Sequence, residues 1–66
     1  MIATEHANAH EAIQHSGAEG SEAILIDGRY ATIAEADAFA LIADGREFAW
    51  LCDVNGSIVT IPVNSN

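Results

Sequence analysis

Apolar and polar positions alternate most regularly in the last third of the chain. Arg46 to Val54 and Ser57 to Val63 read as strands on either side of Asn55-Gly56. Those two residues accept the left-handed backbone that a type I′ hairpin turn requires. A two-residue turn sets the register, so Cys52 faces Val59, Trp50 faces Ile61 and Phe48 faces Val63. All of these apolar side chains then share one face. The other face carries Asp53 with Ile58, Leu51 with Thr60 and Ala49 with Pro62. A slip by one residue would mix the two sets, which specifies the pairing. Pro62 has no N–H to give a ladder, so the final strand is expected at a sheet edge, or its pairing ends there.

A second hairpin precedes it. Ala23 to Ile26 and Arg29 to Ile33 flank Asp27-Gly28, another strong short-range turn signal. Leu25 should face Tyr30, and Ile24 should face Ala31. Between the hairpins the spacing changes to that of a helix. Thr32-Ile33-Ala34-Glu35 has the form of a capping box, with Thr32 as cap and Glu35 reaching back. The helix should run to about Asp44 and stop at Gly45. Ala36, Phe39, Ala40 and Ala43 would form its buried face, with Ile42 on the shoulder and Asp37, Leu41 and Asp44 opposite.

The N-terminal pattern is thinner. Thr4 can cap a helix that runs to about Ser16 and ends at Gly17, with Ile2, His6, Ala9 and Ile13 along one stripe. That stripe has few large side chains, which predicts weak docking. Ser16 to Ser21 is the one low-complexity stretch and reads as a linker. The expected fold is α+β in the order α-ββ-α-ββ. It has an antiparallel sheet of about four strands, an Ala-rich helix packed on one face and a weakly docked N-terminal helix. The single domain covers 1–66, divided into the N-terminal helix 1–16, a linker 17–21 and a ββαββ core 22–66.

Size and charge narrow the function. With 66 residues, the chain buries only about 60% of its unfolded surface. Cys52 is the only cysteine, so no internal disulfide is available, which fits a reducing, cytoplasmic setting. Homodimer formation would add buried surface, leaving monomer and homodimer both open. Ten acids face only Arg29 and Arg46, there is no lysine, and the formal net charge is −8. Such a field repels nucleic acid and anionic membranes and attracts basic surfaces. No segment is apolar enough over sufficient length to span a bilayer, and no leader pattern is seen.

The reactive side chains form no recognisable motif. His6 and His10 have i, i+4 spacing, but no further histidine and no cysteine pair is available to complete a site with them. His10-Glu11-Ala12-Ile13-Gln14-His15 misses the zinc-protease motif because Gln14 stands where its second histidine belongs. Cys52 is expected to be buried in the hairpin with no base beside it. Asp53-Val54-Asn55-Gly56 lacks calcium-loop spacing and reads as a turn. The expectation is a non-enzymatic protein without metal or cofactor.

The acids remain as candidates for partner binding. Asp27, Asp44 and Asp53 suit turns, Glu35 suits a cap and Glu5 suits a first helical turn. Glu11, Glu19, Glu22, Asp37 and Glu47 have no such local duty. Asp37 and Asp44 bracket Leu41, and together these seven residues form the candidate contact set. In size, charge and lack of a catalytic motif, the chain resembles the small phage-encoded inhibitors of bacterial defence known as anti-CRISPR proteins. That resemblance is compositional and assigns no residue a role. It implies a nucleic-acid mimic that blocks a basic groove, such as the DNA-recognition surface of a CRISPR effector, in a host cytoplasm. The alternatives are a regulatory or structural interaction module, antitoxin-like or homodimeric, and a histidine-based metal protein using His6, His10 and Glu11.

Overall fold

The chain runs β1 (Ala3–His6), α1 (Ala9–His15), β2 (Ser21–Ile26), β3 (Arg29–Ala34), α2 (Glu35–Ala43), β4 (Phe48–Val54), β5 (Ser57–Val63). These elements belong to a computed structural model that describes residues 2–17 and 20–65. The fold is α+β. Its sheet has five strands in the order β1-β3-β2-β4-β5, and every neighbouring pair is antiparallel.

Both hairpin registers follow the turn chemistry. Leu25 pairs with Tyr30 and Ile24 with Ala31 around Asp27-Gly28. Cys52 pairs with Val59, Trp50 with Ile61 and Phe48 with Val63 around Asn55-Gly56. Asn55 and Gly56 have φ of 53° and 84°, as a type I′ turn demands. The Asp53 carboxylate accepts the Gly56 N–H at 2.9 Å. β4 starts at Phe48, two residues later than the pattern indicates, and β5 is an edge strand as Pro62 requires.

The N-terminal segment differs from a single helix beginning at Thr4. Ala3–His6 is extended and pairs with β3, with Thr4 opposite Thr32. This strand satisfies the edge of β3, which a four-stranded sheet would leave open. The helix then begins at Ala9 with Asn8 as its cap, where Asn8 Oδ1 accepts the Glu11 N–H at 2.9 Å. Glu11 in turn accepts the Ala7 N–H at 3.1 Å, a reciprocal arrangement close to a capping box. Ser16 closes the helix, its N–H and hydroxyl both donating to the Ile13 carbonyl. The left-handed glycine of this connection is Gly20, at φ 75°. The proposed linker 17–21 is cut short because Ser21 already belongs to β2, and Ala18 and Glu19 lie outside the described residues.

Thr32 does not cap α2. It lies in β3, and the helix starts at Glu35 with Ala34 as a cap that makes no side-chain bond. The Glu35 N–H donates instead to the Gly20 carbonyl at 2.8 Å. The helix ends in a Schellman motif: Gly45, at φ 75°, donates to Ile42, and Arg46 donates to Leu41. The Asn64 side chain ties the end of β5 to this corner by donating to the Ile42 and Arg46 carbonyls.

The helices cover opposite faces of the sheet. Under α2 lie Ile24, Ala31, Ile33 and Phe48 with Ala38 and Leu41, flanked by Ile26, Ile42, Trp50 and Val63. Under α1, Ala12 packs with Ala23 and Leu51, flanked by Ala9, Ile13, Leu25, Tyr30 and Ile58. Each large aliphatic or aromatic side chain buried this way contributes about 1.5–3 kcal/mol relative to exposure. The docked side of α2 is the reverse of the Phe39 face: Leu41 is 6% exposed and Phe39 is 56% exposed. α1 meets the sheet through the fully buried Ala12, with Ala9 and Ile13 partly buried beside it. Cys52 is half-buried, because α2 does not reach as far as the tip of the last hairpin.

Candidate functional site

The surface around α2 carries the most distinctive chemistry. Glu35 and Asp37 occupy its first turn, where carboxylates complement the exposed N–H groups. Asp37 thereby acquires a local duty. Asp44 is the C-cap residue, and the last turn holds no basic side chain. A carboxylate there opposes the helix dipole, although Asp44 also stands in the turn that follows α2, a position aspartate suits. Glu47 follows and is exposed. Alternation along β2 places Glu22 on the α2 side of the sheet, half-buried, in line with Ile24. Acids therefore stand at both ends of α2. Between them, Ala36, Phe39, Ala40 and Ala43 point outward.

The seven residues proposed for partner contact do not form one patch. Asp37 lies on α2 and Asp44 at its C-cap, Glu22 lies on the α2 side of β2, and Glu47 follows the helix in the connection to β4. Glu11 lies on α1, across the sheet, where it serves the cap. Glu19 falls outside the described residues. Leu41 is core, and the apolar side chain at the acid-flanked surface is Phe39. Sequence patterning missed Phe39 because Asp37 and Asp44 flank Leu41 on the reverse side of α2, and the bulk of a phenylalanine ordinarily marks the buried side.

Both arginines are engaged with carboxylates. Arg29 lies 3.6 Å from Glu5, and Arg46 lies 3.4 Å from Asp27. These pairs are exposed, and each is worth little in stability. Their consequence is electrostatic: Glu22, Glu35, Asp37, Asp44 and Glu47 have no cationic partner among the described residues.

The histidines are arranged differently from the i, i+4 reading. His6 is on β1 and His10 on α1, so the two do not share a helical face. His6 stacks on His15 with ring centroids 4.7 Å apart, and a 3.0 Å hydrogen bond joins its Nε2 to Thr32 Oγ1. This arrangement pins α1 to the β1–β3 pair. Among the described residues, no group of three or more His, Cys, Asp or Glu side chains is placed to hold a metal, and no pocket opens. No described helix is long and apolar enough to cross a membrane. Comparison with protein-family models, with curated proteins and with solved structures finds no match.

Proposed function

We propose that this chain is a non-enzymatic binding protein that presents the acidic surface of α2 to a basic groove of a nucleic-acid-binding complex. In that role it mimics the charge of a nucleic-acid backbone and acts as an inhibitor, of the kind directed at CRISPR effectors. The supporting observation is the engagement of both arginines, which leaves the carboxylates around α2 uncompensated beside an exposed Phe39. Long-range attraction to a basic surface speeds encounter. An aromatic side chain at the centre of a charged rim can then carry much of the binding energy.

Competition tests the reading. Excess protein should displace DNA from a basic effector groove, and the displacement should weaken steeply as salt rises, because salt screens exposed charges. Asp44→Asn with Glu47→Gln should reduce displacement, and Phe39→Ala should reduce it by about tenfold or more. Displacement that is equal at low and high salt, or indifferent to all three changes, would overturn the proposal.

A further inference from the structure

The β5 edge carries a second surface with the opposite character. From Ser57 to the last residue no side chain is ionisable, in a chain whose net charge is −8. Val59 and Ile61 are 41% and 48% exposed on the α2 side of the sheet, beyond the helix itself. Natural sheet edges are commonly guarded by charge or by proline; this one has no charge, and Pro62 withholds a single outward N–H.

The backbone of the edge follows from the turn. In a two-residue type I′ hairpin the residues flanking the turn, Val54 and Ser57, exchange hydrogen bonds, and bonded pairs alternate from there. Val59, Ile61 and Val63 therefore bond inward to β4. Ile58, Thr60 and Pro62 direct their free backbone groups outward. Pro62 stands at an outward position, where its missing N–H costs the β4–β5 ladder nothing.

We propose that β5 pairs antiparallel with β5 of a second copy, Thr60 opposite Thr60, joining the two sheets into one. In this register the two Thr60 residues exchange hydrogen bonds. Ile58 N–H of each copy donates to the Pro62 carbonyl of the other. Val59 then faces Ile61 across the seam, twice by symmetry, as a non-bonded pair in which side chains approach closely. Charge identifies a second copy as the occupant. A basic strand would find no carboxylate on β5 to pair with. Two strongly acidic molecules, in contrast, can meet along their one long uncharged strand without opposing like charges. Asp53 sits at the hairpin tip, and in an antiparallel pair the two tips point away from each other. The contact is one strand wide, at the small end of specific interfaces, so the dimer is weak and concentration-dependent.

Sedimentation equilibrium from about 1 µM to 1 mM, a range matched to a weak complex, tests this directly. The wild-type protein should pass from monomer to dimer, and added salt should strengthen the association by screening repulsion between the copies. Thr60→Pro removes only an outward N–H, and Val59→Lys places a charge at the seam. Each should leave the protein monomeric throughout the range. Val59→Lys alters a partly exposed side chain, and an unchanged melting curve confirms that it folds even if Thr60→Pro does not. A wild-type protein that stays monomeric at the highest concentration in high salt overturns the proposal. So does a dimer that survives Val59→Lys. The two proposals respond to salt in opposite directions, so failure of one leaves the other standing.

Discussion

Leu41 and Phe39 lie two residues apart on α2 and belong to different environments. Leu41 closes the core over Ile24, Ile33 and Phe48, whereas Phe39 faces outward. Leu41→Ala should therefore lower unfolding stability by about 2–5 kcal/mol, the range for emptying a well-packed aliphatic site. Phe39→Ala should stay within about 0.5 kcal/mol of the parent, as surface changes usually do. Urea unfolding of the two variants measures both. The reverse order would mean that α2 docks by its Ala36–Phe39–Ala40–Ala43 face. Thr32 teaches a similar lesson. Its position three residues before Glu35 mimics a cap, yet its hydroxyl is used in β3 to hold His6.

At the scale of elements, α1 depends on its first turn. It has seven residues, too few for a helix to stand alone in water. Asn8 Oδ1 accepts the Glu11 N–H that the short helix would otherwise leave open, and the Glu11 carboxylate reaches back to accept the Ala7 N–H before the cap. Asn8→Ala should cost about 1 kcal/mol, the usual value of a cap. The loss should appear in hydrogen exchange as faster opening of α1 while β2 and β4 stay protected. Uniform loosening of the whole sheet would show instead that α1 and the sheet open as one unit. This cap was legible in the chain, since Asn8 is followed three residues later by Glu11. Reading the helix from Thr4 concealed it. β1 left no comparable local signal, because Ala3–His6 is too short and mixed to show alternation.

The whole molecule is organised by two crossovers. β1 reaches β2 through α1, and β3 reaches β4 through α2, each skipping one strand in the same direction across the sheet. Each linked pair is parallel, but β1 and β3 run oppositely. A common right-handed crossover therefore puts α1 and α2 on opposite faces. Both faces of the central strands are thus covered, whereas β5 keeps only Ile58 and Val63 partly buried. The same molecule confines a formal charge of −8 within a small surface, and self-repulsion opposes the compact state. Raising sodium chloride from about 0.01 M to 1 M, which shortens the Debye length from about 30 Å to 3 Å, should raise the melting temperature of dilute protein. A flat or falling melting temperature would show that the charges are too dispersed to strain the fold.

The chain by itself determined both hairpins, their registers, the stop of α2 at Gly45 and the excess of negative charge. These depend on neighbours in sequence: residues that accept positive φ at a turn, and side chains whose charge is the same in any fold. Tertiary structure alone decided that Ala3–His6 is a strand, because its partners lie in β3, far along the chain. It also decided which apolar side of α2 is buried. Both Phe39 and Leu41 fit a helical period, and the burial of Leu41 and Ala38 depends on Ile24, Ile33 and Phe48 from strands elsewhere in the sequence. The candidate surface was correspondingly half legible. Its acids could be counted from the residues, but Phe39 could replace Leu41 among them only once α2 had a direction to face.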